Sequence, residues 1–325
     1  MKTCCMGIDI SAKTLDICVL SNGRTKHYSV DNSGRGIAAL LKKYPAGQTL
    51  VAMENTGRYN NILYEVLAGT DYEVYVIDPL HLKKSMGLTR GKDDRVDAER
   101  ICRFIERNQG DVRQWQPASQ AVSRVKLLLS ERGLRIKIRG QLSASQKGHA
   151  YEKSTGLDKG LDRLDDRLTR SIDNQIAEIE ALIGETVAGD EGLSERFAQA
   201  KSVPGVGKVL AWTLMAKTNG FTVLTDPRKL ACYAGVVPFG QQSGTSVHKR
   251  PRVSQYADKG LKKILHMAAL SAVRMDNELK RYYQRKVEEG KNKMSVLNAV
   301  RNKIIHRICA AVNRGTLYKN SLVIS

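Results

Sequence analysis

The feature that most constrains this fold is one aspartate inside an apolar strand. Residues 4–10 form a short apolar run, and Asp9 interrupts it in Gly7-Ile8-Asp9-Ile10. A charge at such a position must be paired, hydrogen-bonded or metal-bound, because burying it alone is too costly. The surrounding pattern says what kind of sheet carries it. A second strand over 15–20, a turn at Asn22-Gly23 and a third strand over 25–30 predict a meander. Helices are predicted over 36–44 and 60–68, each followed by a strand, over 49–53 and 73–77. Pro79 breaks the pattern, and a last helix is predicted over 96–105. Three meandering strands followed by alternating helices and strands fit an α/β domain of the ribonuclease-H-like class.

In that class the first and fourth strands are neighbours and the last helix crosses their ends. Glu54 closes the strand that ends Val51-Ala52-Met53, before Asn55-Thr56-Gly57-Arg58-Tyr59. Asp94 and Asp97 lie three apart, so one helix face carries both. Four carboxylates would converge and repel. Two Mg²⁺ ions about 3.5–4 Å apart would neutralise them and stabilise charge at a phosphate. Each residue also has a plain structural use: Asp9 as a turn cap, Glu54 as a solvated strand end, the Asp94/Asp97 pair as a helix N-terminus. Asp93, Glu99 and Asp78 compete for the ligand role.

Charge points to a polyanionic partner. The 325 residues carry 53 Lys+Arg against 33 Asp+Glu, a formal +20. The excess is blocked: residues 121–153 hold 8 basic and 2 acidic side chains, residues 154–200 hold 5 and 11, and residues 245–325 hold 18 and 5. Two basic stretches around an acidic one suggest two nucleic-acid-facing surfaces; a merely basic surface is the plainer alternative. At 42% hydrophobic the chain is not disordered. No apolar run approaches the ~18–20 residues of a membrane span. Cys4, Cys5, Cys18, Cys102, Cys232 and Cys309 show no zinc spacing and read as cytosolic thiols. A cytoplasmic protein with no membrane partner is expected.

Past the first domain, a long helix over 119–150 carries Arg124, Lys126, Arg132, Arg135, Lys137 and Arg139, candidate phosphate contacts. Over 158–187, Leu161, Leu164, Leu168, Ile172, Ile176, Ile179 and Ile183 recur at steps of three and four. That predicts a coiled-coil arm or an ordinary amphipathic helix on the same chain. Pro204-Gly205-Val206-Gly207 before a helix resembles the hairpin of a helix-hairpin-helix element, where Gly205 and Gly207 would let backbone N–H groups approach a phosphate; a plain tight turn is the alternative. A polar loop is predicted over 239–254. In it Ser243, Thr245 and Ser246 precede His248, Lys249, Arg250 and Arg252, so a hydroxyl nucleophile beside cations is one reading and a phosphate-binding loop another. Helices over 259–274 and 297–313 carry the last basic residues, among them Lys262 and Lys263. The expected division is 1–118, 119–196 and 197–325.

Together these blocks resemble a known family. Gly7-Ile8-Asp9-Ile10-Ser11-Ala12-Lys13, Glu54-Asn55-Thr56-Gly57-Arg58-Tyr59 and Lys92-Asp93-Asp94-Arg95-Val96-Asp97-Ala98 look like the DEDD motifs of an insertion-sequence transposase family. That family includes Piv-type pilin-gene invertases and bridge-RNA-guided serine recombinases. The 204–207 turn, residues 231–238 and Ser243-Gly244-Thr245-Ser246-Val247 resemble its second domain. The resemblance implies a RuvC-like N-terminal domain, a coiled-coil connector and a mainly helical C-terminal transposase domain. It implies Mg²⁺, with Mn²⁺ as a substitute, at Asp9, Glu54, Asp94 and Asp97. It implies that Ser243 is the nucleophile, forming a phosphoserine link to donor and target DNA. It also implies homodimers that pair into tetramers, and in many members a non-coding guide RNA. One residue departs from the pattern: Asp93 stands where a small polar residue such as Thr is expected. A protein-only invertase and a RuvC-like nuclease using water are the competing functions. An actin-type ATPase lacks a second phosphate motif, and a non-catalytic binder leaves the carboxylates unexplained.

Overall fold

The computed structural model describes residues 3–85, 93–148, 159–243 and 247–319. The chain divides into two compact units, Met1–Pro117 and Ala118–Ser325.

The first unit is built on one five-stranded sheet. Its strands are β1 (Cys4–Ile10), β2 (Thr14–Ser21), β3 (Arg24–Asp31), β4 (Thr49–Glu54) and β5 (Glu73–Ile77), in the order β3-β2-β1-β4-β5. The first three are antiparallel, whereas β1–β4 and β4–β5 are parallel. That order and those senses are the ribonuclease-H-like arrangement. The Asn22-Gly23 turn forms as expected, with φ of 48° and 73°, the left-handed pair that a two-residue hairpin requires. Helices α1 (Gly34–Leu41) and α2 (Asn61–Ala68) cover one sheet face, where Met6, Ile8 and Ile10 meet Ile37, Leu40, Leu63 and Leu67. Pro79 starts a helix instead of only ending a strand: α3 spans Pro79–Ser85, since proline's fixed φ suits a first helical turn.

Helix α4 (Asp94–Asn108) lies on the other face, and one glycine sets its distance. A Cβ on Gly7 would stand 2.4 Å from the Ala98 carbonyl oxygen and 2.4 Å from the Cys102 nitrogen. Cys102 Sγ donates to the Cys5 carbonyl at 3.0 Å. The helix therefore runs antiparallel to β1, Cys102 beside Cys5 and Ala98 beside Gly7. Two strand residues advance about 6.6 Å, and four helical residues about 6 Å. The same step carries the helix from Ala98 to Asp94 as the strand goes from Gly7 to Asp9. Gly7→Ala is expected to push α4 off the sheet and cost at least ~2 kcal/mol in urea unfolding. A wild-type midpoint would show that the helix adjusts freely.

The second unit is mainly helical. Helices α5 (Gln120–Gly148) and α6 (Lys159–Ala188) pack antiparallel as a hairpin. Helices α7 (Glu191–Lys201), α8 (Lys208–Lys217), α9 (Pro227–Tyr233), α10 (Lys259–Ala272), α11 (Glu278–Glu288) and α12 (Lys293–Arg314) follow. One core joins Val122 and Val125 of α5, Ile179 and Ile183 of α6, and Val300, Ile304, Ile305 and Ile308 of α12. Within 239–254, expected as a loop, the described residues instead form two antiparallel paired strands, β6 (Pro238–Ser243) and β7 (Val247–Val253). Their polar, proline-containing sequence hides them, because cross-strand pairing rather than an apolar face makes them. Among the described residues no helix is long and apolar enough to cross a membrane.

Candidate functional site

The α4 geometry delivers its first turn to the β1 end, and the electrostatics at Asp9 report the result. The Asp9 carboxyl is pushed up to about 6. Burial is the largest cause, followed by the charges of Asp94 and Asp97; the Ile10 backbone N–H opposes the rise, and Glu54 adds to it. The four sequence-predicted carboxylates thus share one electrostatic neighbourhood. Asp97 accepts from Arg100 Nη1 at 2.6 Å, so its charge is partly balanced. Among the described residues no three His, Cys, Asp or Glu side chains already close into a metal cage.

The rival carboxylates have local work of their own. Asp93 caps α4, accepting the Arg95 N–H at 3.0 Å. Asp78 accepts the Leu80 N–H at 2.8 Å at the start of α3. Glu99 pairs with Arg103 at 2.7 Å and faces His27 at 3.7 Å. Helix N-termini satisfy their open N–H groups with such caps.

Two positions escape sequence reasoning. Asn60 is fully buried; its Oδ1 accepts the Thr56 N–H at 2.9 Å and the Thr56 hydroxyl at 2.6 Å, and its Nδ2 donates to the Glu54 carbonyl at 3.0 Å. It folds the 55–59 loop back onto the strand end and so holds Glu54 in place. The only hint in the sequence is an Asn before an apolar helix. Asp16 stands directly opposite Asp9 in the β1–β2 register. The sequence hides it because register is not readable from one strand.

The basic residues separate into two groups. Arg132 pairs with Glu180 at 2.8 Å, Arg135 with Glu131 at 2.7 Å, and Arg139 with Asp173 at 2.5 Å. Arg132 and Arg139 fasten the α5–α6 hairpin through acids of α6, whereas Arg135 pairs within α5 and reaches α6 through Gln175 Oε1 at 2.9 Å. Arg124, Lys126, Lys137, Arg252 and Lys263 are exposed, and Lys262 is half-buried. Gly205 (φ +83°) is pressed against α10, where a Cβ would lie 2.4 Å from the Ala268 carbonyl. Gly207, the N-cap of α8, has open space around it. Lys249 and Arg250 lie on β7. Ser243 ends β6 opposite Val247; Thr245 and Ser246 lie outside the described residues.

Comparison with known proteins extends the geometry. A transposase model of the DEDD IS110 type matches residues 6–148, and the Transposase IS116/IS110/IS902 family model matches residues 198–284. The pilin gene-inverting proteins of Moraxella bovis and Moraxella lacunata are each 24% identical over 309 residues, covering 92% of this chain and 92% of theirs. The insertion element IS110 43.6 kDa protein of Streptomyces coelicolor is 29% identical over 125 residues, 37% of this chain and 30% of that one. Two successive family models over both units, with end-to-end relatives, place the chain in the IS110-type family of DEDD transposases, enzymes that cleave and recombine DNA.

Proposed function

We propose that this transposase cuts and rejoins the DNA of an insertion sequence through a phosphoserine link at Ser243, with Asp9, Glu54, Asp94 and Asp97 as its metal-binding carboxylates. The observation that carries the metal-binding part of the reading is the close approach of α4 to β1 at Gly7, which brings Asp94 and Asp97 beside the half-buried Asp9. Four hard oxygen donors suit Mg²⁺ or Mn²⁺. The ligand role goes to Asp94 rather than Asp93, whose carboxylate is occupied as the α4 cap. A bound divalent ion would supply charge stabilisation at the phosphate under attack. The protein's own residues do the rest. Gly7 fixes the approach of α4, Asn60 holds Glu54, and Arg100 partly balances the charge of Asp97. At Ser243 the Oγ gives up its proton and bonds phosphorus as a deoxyribose oxygen leaves and takes up a proton in its place; a hydroxyl from another strand reverses the step on the new partner and returns the proton to Oγ.

Residues 119–196 act as the connector and 197–325 as the transposase domain. Homodimers that pair into tetramers form around donor and target DNA in the cytosol. Uncovered apolar side chains on the hairpin support that assembly: Leu161, Leu164 and Leu168, at steps of three and four on α6, are 47%, 51% and 51% exposed. A contiguous apolar surface of this kind marks a protein contact. A non-coding RNA from the same element guides the DNA choice. The end-to-end match to pilin gene-inverting proteins favours a second reading, inversion by the protein alone. Purifying the protein from cells carrying its locus and sequencing RNA retained in high salt separates the two. One discrete RNA encoded beside the gene is expected; heterogeneous RNA or none leaves the protein-only reading.

A further inference from the structure

Arg301, in the middle of α12, is a buried cation without an anion. It is 6% exposed. Its Nη2 lies 2.6 Å from His266 Nδ1, and its Nη1 donates to Asn298 Oδ1 at 3.3 Å. Its Nε is buried with no partner among the described residues. Both partners are neutral acceptors. A guanidinium stays charged in proteins, so Nδ1 of His266 accepts and Nε2 carries the imidazole proton as a donor. Lys262 stands one turn before His266 on α10. Burial, and after it the charge of Arg301, holds both Lys262 and His266 below their usual proton affinity. The remaining wall is the turn at Gly235-Val236. Gly235 has φ +65°, and a Cβ there would lie 3.8 Å from Lys262 Cδ. The Val236 carbonyl accepts from Asn298 Nδ2 at 2.7 Å. Two residues later β6 begins, the strand that ends at Ser243.

Three nitrogen-bearing side chains, desolvated together with only neutral partners, are a costly arrangement. An apolar residue of the same size would make a more stable core. What offsets the cost is an anion bound from outside. We propose that Arg301, His266 and Lys262 form a seat for one backbone phosphate of nucleic acid, at the root of the β6–β7 hairpin. The remaining guanidinium N–H groups, the imidazole Nε2–H and the ammonium are donors of the kind that a tetrahedral oxyanion takes. The seat lies in the stretch where 18 basic residues face 5 acidic ones, which favours a polyanion over an acidic side chain. Phosphate contacts set the register of a nucleic acid without reading its sequence, so the seat places the bound strand relative to the hairpin. This rests on the reading that the second unit holds nucleic acid.

The test compares the wild-type chain, Arg301→Met and Lys262→Ala. The free proteins are melted in inorganic phosphate and in chloride at equal ionic strength. The general salting effect of phosphate cancels between wild type and variant. Arg301→Met is expected to melt higher than wild type in chloride and to lose the phosphate-specific gain. Its affinity for a short mixed-sequence duplex should fall roughly tenfold, with a log–log salt slope smaller by about one. Lys262→Ala, on the half-buried rim, should lose slope in the same way and carries the test if Arg301→Met does not fold. An Arg301→Met chain that melts lower and keeps the full phosphate gain overturns the proposal. A phosphate gain with unchanged duplex affinity overturns it in favour of free phosphate, and a gain confined to an acidic peptide overturns it in favour of a protein partner. A wild-type chain that shows the gain but binds no nucleic acid would instead remove the functional reading beneath it.

Discussion

Asp9→Asn is expected to cripple DNA cleavage and, in the same protein, to raise the melting temperature above pH 6. The sign follows from the direction of the shift. The Asp9 carboxyl moves from an ordinary 3.8 to about 6 in the fold, so the folded state holds the proton more tightly. The stability this contributes is fully present below the ordinary value and is lost as pH rises through about 6. At pH 7–8 an ionised Asp9 is a net cost. A two-unit shift corresponds to roughly 3 kcal/mol for a fully buried group. Asp9 is only half-buried, so solvent screening reduces this to about 1–2 kcal/mol. Asparagine keeps the size and removes the charge. Melts in chelator should coincide near pH 4 and separate above pH 6, with the variant higher. Adding Mg²⁺ should stabilise the wild type and close the gap, because an ion bound only by the folded state stabilises it by mass action. Cleavage by the variant should fall on the order of 10²–10³-fold or more. Equal melts across the range, or a variant that still cuts, would remove the four-carboxylate reading.

Ser243→Ala carries the second large effect. The wild-type protein, mixed with its DNA and Mg²⁺ and denatured rapidly, should leave a fraction of DNA covalently attached. Alanine offers no oxygen to phosphorus, so the adduct and strand exchange should both disappear, while binding of intact DNA stays within about twofold. The size of the loss separates two chemistries. A nucleophile that forms a covalent link cannot be replaced by water at the same position without rearrangement, and recombination should drop beyond detection. If Ser243→Ala cuts DNA at near wild-type rate with no adduct, the carboxylates are activating water and the chain works as a nuclease. If the adduct persists, Thr245 or Ser246 is the attacking residue.

Several of these features were legible from residues alone, and the reason is local. Asn22-Gly23 announces its hairpin because only residues tolerant of positive φ form that turn. The strands at 49–53 and 73–77 and the helices around them follow from apolar periodicity. Asp9 stands out because a charge in an apolar strand has few explanations. Helix α11 escaped, since its eleven residues are mostly charged and only Leu279 is fully buried. The β6–β7 hairpin escaped because its cross-strand partners, not its composition, make it a sheet.

The rest depended on which elements meet. The sequence by itself determined that four acids had to be explained together, and that the chain would face a polyanion. Only the tertiary structure decided that α4 runs antiparallel to β1 with Gly7 as the point of closest approach, which brings Asp94 level with Asp9. Only it showed that Arg132 and Arg139 are engaged by acids of the next helix while Arg301, unremarkable in a basic helix, is buried without an anion. A side chain's charge is written in the sequence. Whether that charge is paired, exposed or stranded depends on the dielectric and the neighbours that folding places around it.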